Sequence, residues 1–182
     1  MSMPVRFAFA LRVLHWLMAL MILAMLFIGA GMMSTADDAR RWLFDLHKPL
    51  GVAILLLAAA RLIVRLITGA PPLPDDLPTI QKHAAHVSHI VLYVLMFALP
   101  LLGWATLSAG GYPVSLFGAL VLPPILPQNL ALYGWLHLAH ISLALVLFAV
   151  VLGHLGAALV HGLLRRDGVF SAMASWRLGR RD

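Results

Sequence analysis

The chain has 182 residues, of which 62% are hydrophobic and 11% charged, with a mean hydropathy of +0.94; a soluble domain is about half apolar and a quarter charged, so lipid is expected to be the main solvent. The absence of cysteine excludes disulfides, thiolate metal sites, iron–sulfur clusters and covalent c-type haem attachment, which leaves histidine or oxygen to hold any metal. A net charge of +6 does not point to nucleic acid, because the basic residues flank apolar stretches and form no aromatic-interleaved patch.

The first apolar stretch, Val13 to Ala36, carries no formal charge and follows Arg6 and Arg12. It exceeds the ~20 residues a spanning helix needs and is longer than the ~7–15-residue core of a signal peptide, so a first helix is expected near 7–31. Ser34 to Asp38 then offer an N-cap and two first-turn acids to a second helix near 42–68. Pro49 predicts a kink or restart near Lys48. That helix carries Arg61 in its interior, where an intramembrane charge needs an anionic partner, and Arg65 where it can snorkel. Gly69 to Pro78, with prolines at 71, 72, 74 and 78, reads as a loop.

No Asp, Glu, Lys or Arg occurs between His83 and Leu164. Gly110, Gly111, Pro113, Pro123, Pro124 and Pro127 interrupt this region, which predicts a third helix near 84–107, kinked at Pro100, an outer loop over 108–129 and a fourth helix near 130–164. At ~1.5 Å per residue the fourth helix is about 50 Å long and projects beyond the hydrocarbon. The expected fold is therefore an all-α integral membrane protein, a four-transmembrane-helix bundle forming one domain over 1–182. Placing both termini on one side gives that side Arg6, Arg12, Arg61, Arg65, Lys82, Arg165, Arg166, Arg177, Arg180 and Arg181, against Arg40, Arg41 and Lys48 on the other. By the positive-inside rule the termini are cytoplasmic.

Nine histidines carry the candidate chemistry. His140 and His154 are fourteen residues apart, about 1400° of helical rotation and ~40° short of four turns, so they share a face with an axial gap of ~21 Å. That gap lets one helix supply a ligand to each of two stacked haems. His15 on the first helix is level with His154, and His47 on the second is level with His140, predicting the pairs His15–His154 and His47–His140. Six-coordinate bis-histidine iron has no open position for oxygen, which points to electron transfer. Arg61, fourteen residues from His47, falls at the inner level, where a haem propionate would neutralise it.

The other histidines read differently. His137 is about 100° off the face of His154. His161 is nearly co-facial with His154 but lies at the aqueous edge, as a polar interfacial residue or as a quinone or propionate contact. His83, His86 and His89 form an interfacial stripe, and His89 joins His161 as a candidate quinone contact. Arg40, Arg41 and Lys48 are outer interface anchors, or draw an anion towards an outer haem that Lys48 borders.

His15-Trp16, the run His47-Lys48-Pro49-Leu50-Gly51, Arg61 and Arg65, Pro71-Pro72, the run Ala85-His86-Val87-Ser88-His89 leading into Ala98-Leu99-Pro100, and the His140, His154, His161 series together resemble bacterial cytochrome b561 over nearly the whole chain. The resemblance implies a four-helix bundle in the bacterial inner membrane with two non-covalent haems b on His15, His47, His140 and His154. Some family members are superoxide oxidases, which pass an electron from superoxide on the outer side to membrane quinone. Three functions follow: transfer from superoxide or another small outer donor to ubiquinone or another quinone; a cytochrome subunit that anchors a partner dehydrogenase or hydrogenase; and a haem-free transporter using histidines as a proton or metal relay. Membrane lipid is a partner in each, and a partner protein or homo-oligomer is compatible with all three.

Overall fold

The computed structural model describes residues 6–118 and 120–175. Four long helices, α1 (Phe9–Ser34), α2 (Asp37–Thr68), α3 (Thr79–Gly110) and α4 (Leu130–Leu159), carry the chain. α4 continues as a π-helical turn, Val160–Arg165, followed by the short helix α5 (Val169–Ala174). All four long helices are long and apolar enough to cross a membrane, the last as the combined segment Leu130–Arg165. Arg177, Arg180 and Arg181, used above to orient the chain, lie outside the described residues.

The helix limits extend beyond the sequence-based ones, and the reasons are local. α2 starts at Asp37, not near 42, and runs unbroken through Pro49 with no restart. Its N-cap is Ala36, with no side-chain cap, because the two hydroxyls expected there serve the preceding helix. Ser34 Oγ donates to the Ala30 carbonyl and Thr35 Oγ1 to the Gly31 carbonyl, as additional donors in the last turn of α1, where the Thr35 N–H already bonds Gly31. α3 starts at Thr79, immediately after Pro78, and continues to Gly110, with Gly111 in the left-handed conformation (φ 74°) closing it. The loop 108–129 is not purely irregular: β1 (Val114–Leu116) and β2 (Leu120–Leu122) form an antiparallel hairpin pairing Val114 with Leu122 and Leu116 with Leu120. Its reversal uses positive φ at Phe117 and Gly118.

α1 packs along α2, α3 along α4, and α2 meets α3, whereas α1 and α4 approach only sparsely backbone to backbone. The core consists of Met18 and Ile22 from α1, Ile54 and Ala58 from α2, Leu95, Met96 and Leu99 from α3, and Leu147 from α4. These residues lie after His15 and His47 and between His140 and His154, so a dry apolar layer separates the two histidine levels. Many other large apolar side chains are exposed, as expected of a surface solvated by lipid.

Candidate functional site

The bundle brings residues distant in sequence to one level. His47 on α2 faces His140 on α4 with ring centroids 6.1 Å apart and planes at 66°. His15 on α1 faces His154 on α4 at 6.2 Å and 71°. A metal–imidazole bond of ~2.0 Å on each side of one ion places two trans ring centroids about 6 Å apart, which is the separation at both levels. The first pair lies towards the hairpin end of the bundle and the second towards the end where α1 begins and α4 finishes.

Three observations show that these residues suit a flat, iron-bearing cofactor. The Nδ1 atoms of His47 and His140 are buried without a hydrogen-bond partner, an arrangement that costs about 1–3 kcal/mol for each group unless a ligand changes the environment. Both rings line an apolar cavity beside Met25, Gly51, Leu99 and Pro100. Gly103 makes room for His140, since a Cβ there would lie 3.3 Å from its Cε1 and 3.6 Å from its Nδ1. Among the described residues no three of His, Asp or Glu gather as a metal-binding group, so a bare ion would find two nitrogens at each level, whereas a porphyrin brings four more of its own.

Arg61 is half-buried on α2. Its Nη1 donates to the Leu11 carbonyl at 2.9 Å, and Tyr93, His15 and His154 are among its neighbours. His89 lies 5.4 Å from His154, ring centre to ring centre, closer than two rings trans across one metal. The interfacial stripe therefore divides by contact: His89 reaches the ring of His154, the ligand candidate shared with His15. His137 stacks on Tyr133 at 5.9 Å with planes 4° apart.

The basic residues expected at the outer face are largely neutralised. Lys48 turns inward, its side chain only 11% exposed, and meets Asp45 at 2.8 Å while lying over the Phe44 ring at 4.8 Å. Arg41 pairs with Asp38 at 3.6 Å in full solvent.

At the opposite end, sequence reasoning missed Asp167. Its Oδ2 lies 2.6 Å from His161 Nδ1 and 2.9 Å from Arg165 Nε, and Arg165 also reaches Asp76 at 2.8 Å. Partial burial works to raise the Asp167 pKa, but hydrogen bonds from Arg165, His161 and the Val169 backbone outweigh it and hold the carboxyl below its ordinary value. The available signal was the only acid close behind His161 and the Arg165-Arg166 pair. Nearby, Arg12 is buried and donates to the Ser175 carbonyl, while Trp16 Nε1 donates to Met173, tying α5 across the start of α1.

Four lipid-compatible helices around two levels of facing imidazoles define a multi-pass helical-bundle membrane protein with paired histidines in its interior. The chain matches the family model for prokaryotic cytochrome b561 over residues 6–176, and it belongs to that family, whose members are membrane b-type cytochromes of electron transfer. It is 28% identical over 173 residues to cytochrome b561 homolog 2 of Escherichia coli (strain K12), covering 93% of this chain and 92% of that protein. It is 32% identical over 171 residues to the probable superoxide oxidase CybB of Yersinia pestis, covering 91% and 94%. It is also similar to cytochrome b561 homolog 1 of E. coli, at 30% over 129 residues, covering 71% and 73%.

Proposed function

We propose that the chain is a single-domain di-haem b cytochrome of the bacterial inner membrane, with both termini cytoplasmic, that passes electrons from an outer-side donor to membrane quinone. The observation that carries this reading is the match between the two pairs, 6.1 Å for His47–His140 and 6.2 Å for His15–His154. Haem b supplies a one-electron iron couple when bound. His47 and His140 would hold the outer group and His15 and His154 the inner one, and two protein nitrogens on each iron would favour electron transfer over oxygen binding. Arg61, already anchored on Leu11, offers its remaining donors to a propionate at the inner level. Likeness to a probable superoxide oxidase makes superoxide the preferred donor. His161 and His89, at the inner level, are the polar contacts for quinone.

The test is haem content. His140→Ala should lose the outer haem and keep most of the inner one, read from the pyridine haemochrome-to-protein ratio and the reduced-minus-oxidised spectrum. Full haem content with unchanged spectra would remove the ligand assignment, and with it this reading.

A further inference from the structure

We propose that Asp167 is a positioning residue for proton delivery, holding His161 so that its Nε2 gives a proton to a quinone carbonyl at the inner end of the bundle. This rests on quinone reduction at that end, as proposed above. In a continued α-helix the sixth residue after His161 would point about 120° away and lie ~9 Å further along the axis. The π-helical turn and the reversal after it prevent that. Arg166 takes a left-handed conformation (φ 53°), and its N–H bonds the His161 carbonyl at 2.9 Å, which folds Asp167 back onto the imidazole. Both carboxylate oxygens are then held: Oδ2 by His161 and Arg165 and Oδ1 by the Val169 N–H at 3.3 Å. A π-helical insertion of this kind often marks a functional position.

The chemistry follows from the geometry. With Nδ1 committed to the carboxylate, the ring has a fixed orientation and a fixed tautomer, and a positive charge on it is compensated locally. Reducing one quinone to quinol takes two electrons and two protons. The electrons arrive singly from reduced haem b. The protonated His161 breaks its Nε2–H bond as the O–H bond forms on the quinone oxygen it faces, and is recharged from water at the bundle end; the para oxygen across the ring takes the second proton from water. Among the described residues the charged groups in this cluster are Asp167, Arg165 and, through Arg165, Asp76 from the α2–α3 loop; α5 contributes no titratable side chain.

The rival role for Asp167 is purely mechanical, a clasp joining Arg165 to the turn. The experiment therefore uses four variants of the haem-loaded full chain with a short-chain ubiquinone as acceptor. Asp167→Asn should lower kcat for quinone reduction about 10-fold or more, with KM, haem content and midpoint potentials held and a larger solvent deuterium isotope effect. Asp167→Glu should restore most of kcat. Arg165→Gln, which opens the clasp but leaves the acid beside the ring, should cost much less. Parent-like kcat in Asp167→Asn, or an equal loss in Arg165→Gln, overturns the inference. His161→Ala separates the two levels of argument: if it abolishes quinone reduction while Asp167→Asn does not, only the role of Asp167 falls; if neither variant has an effect, the inner quinone contact at His161 falls as well.

Discussion

His140 depends on a residue with no side chain. Its ring edge lies against Gly103, so Gly103→Ala forces the ring to give by a few tenths of an ångström. Alanine is worth about 1 kcal/mol over glycine in a helix interior, so the fold itself should not suffer. The expected outcome is one shifted midpoint potential, that of the outer haem, with haem content retained, because ligand orientation tunes the metal. A redox titration in which neither potential moves would show that the contact has no bearing on the cofactor. The candidate ligands were legible in the sequence because fourteen residues is close to four helical turns and the hydrophobic spans set their depth. Gly103 was not legible, since a glycine in an apolar helix carries no mark of the ring it faces.

Single elements show where local chemistry decides and where it is overruled. The hydroxyls at Ser34 and Thr35 read as the start of α2, yet they turn back onto α1; from sequence alone, a residue between two helices serves either end equally well. Asn129 is the cap that holds. Its Oδ1 accepts from the Leu132 N–H at 3.0 Å, while its own N–H reaches the Ala109 carbonyl at 2.9 Å, so it joins the start of α4 to the end of α3. Asn129→Ala should cost about 1 kcal/mol, read as a lower Tm in detergent with both haems still bound; an unchanged Tm would mean that the backbone bond alone holds this junction. The hairpin Val114–Leu122 was read as an irregular loop because its strands are only three residues each. It is pinned from outside by Trp104 Nε1 donating to the Pro123 carbonyl and by the Ile125 N–H donating to Ser108 Oγ.

Across the whole molecule, charge is distributed by side more than by patch. At the hairpin end the sequence sets Arg40, Arg41 and Lys48 among Asp37, Asp38 and Asp45, and two of the bases are paired with local acids, Arg41 with Asp38 and Lys48 with Asp45. A field of this kind gives little long-range attraction. If superoxide is the donor, stopped-flow reduction of the oxidised protein should change by less than about threefold between ~0.01 and ~0.15 M ionic strength. A fall of tenfold or more would mean that Arg40 and its neighbours steer the anion after all. The sequence by itself determined the solvent, the four spans and the depth of each histidine, because these depend on composition and on the fixed rise and rotation of a helix. Tertiary structure alone decided that His89 turns towards His154, that Lys48 is neutralised and that Asp167 returns to His161. Each of these depends on how helices pack side by side or on where a turn reverses, and helical periodicity carries no information about either.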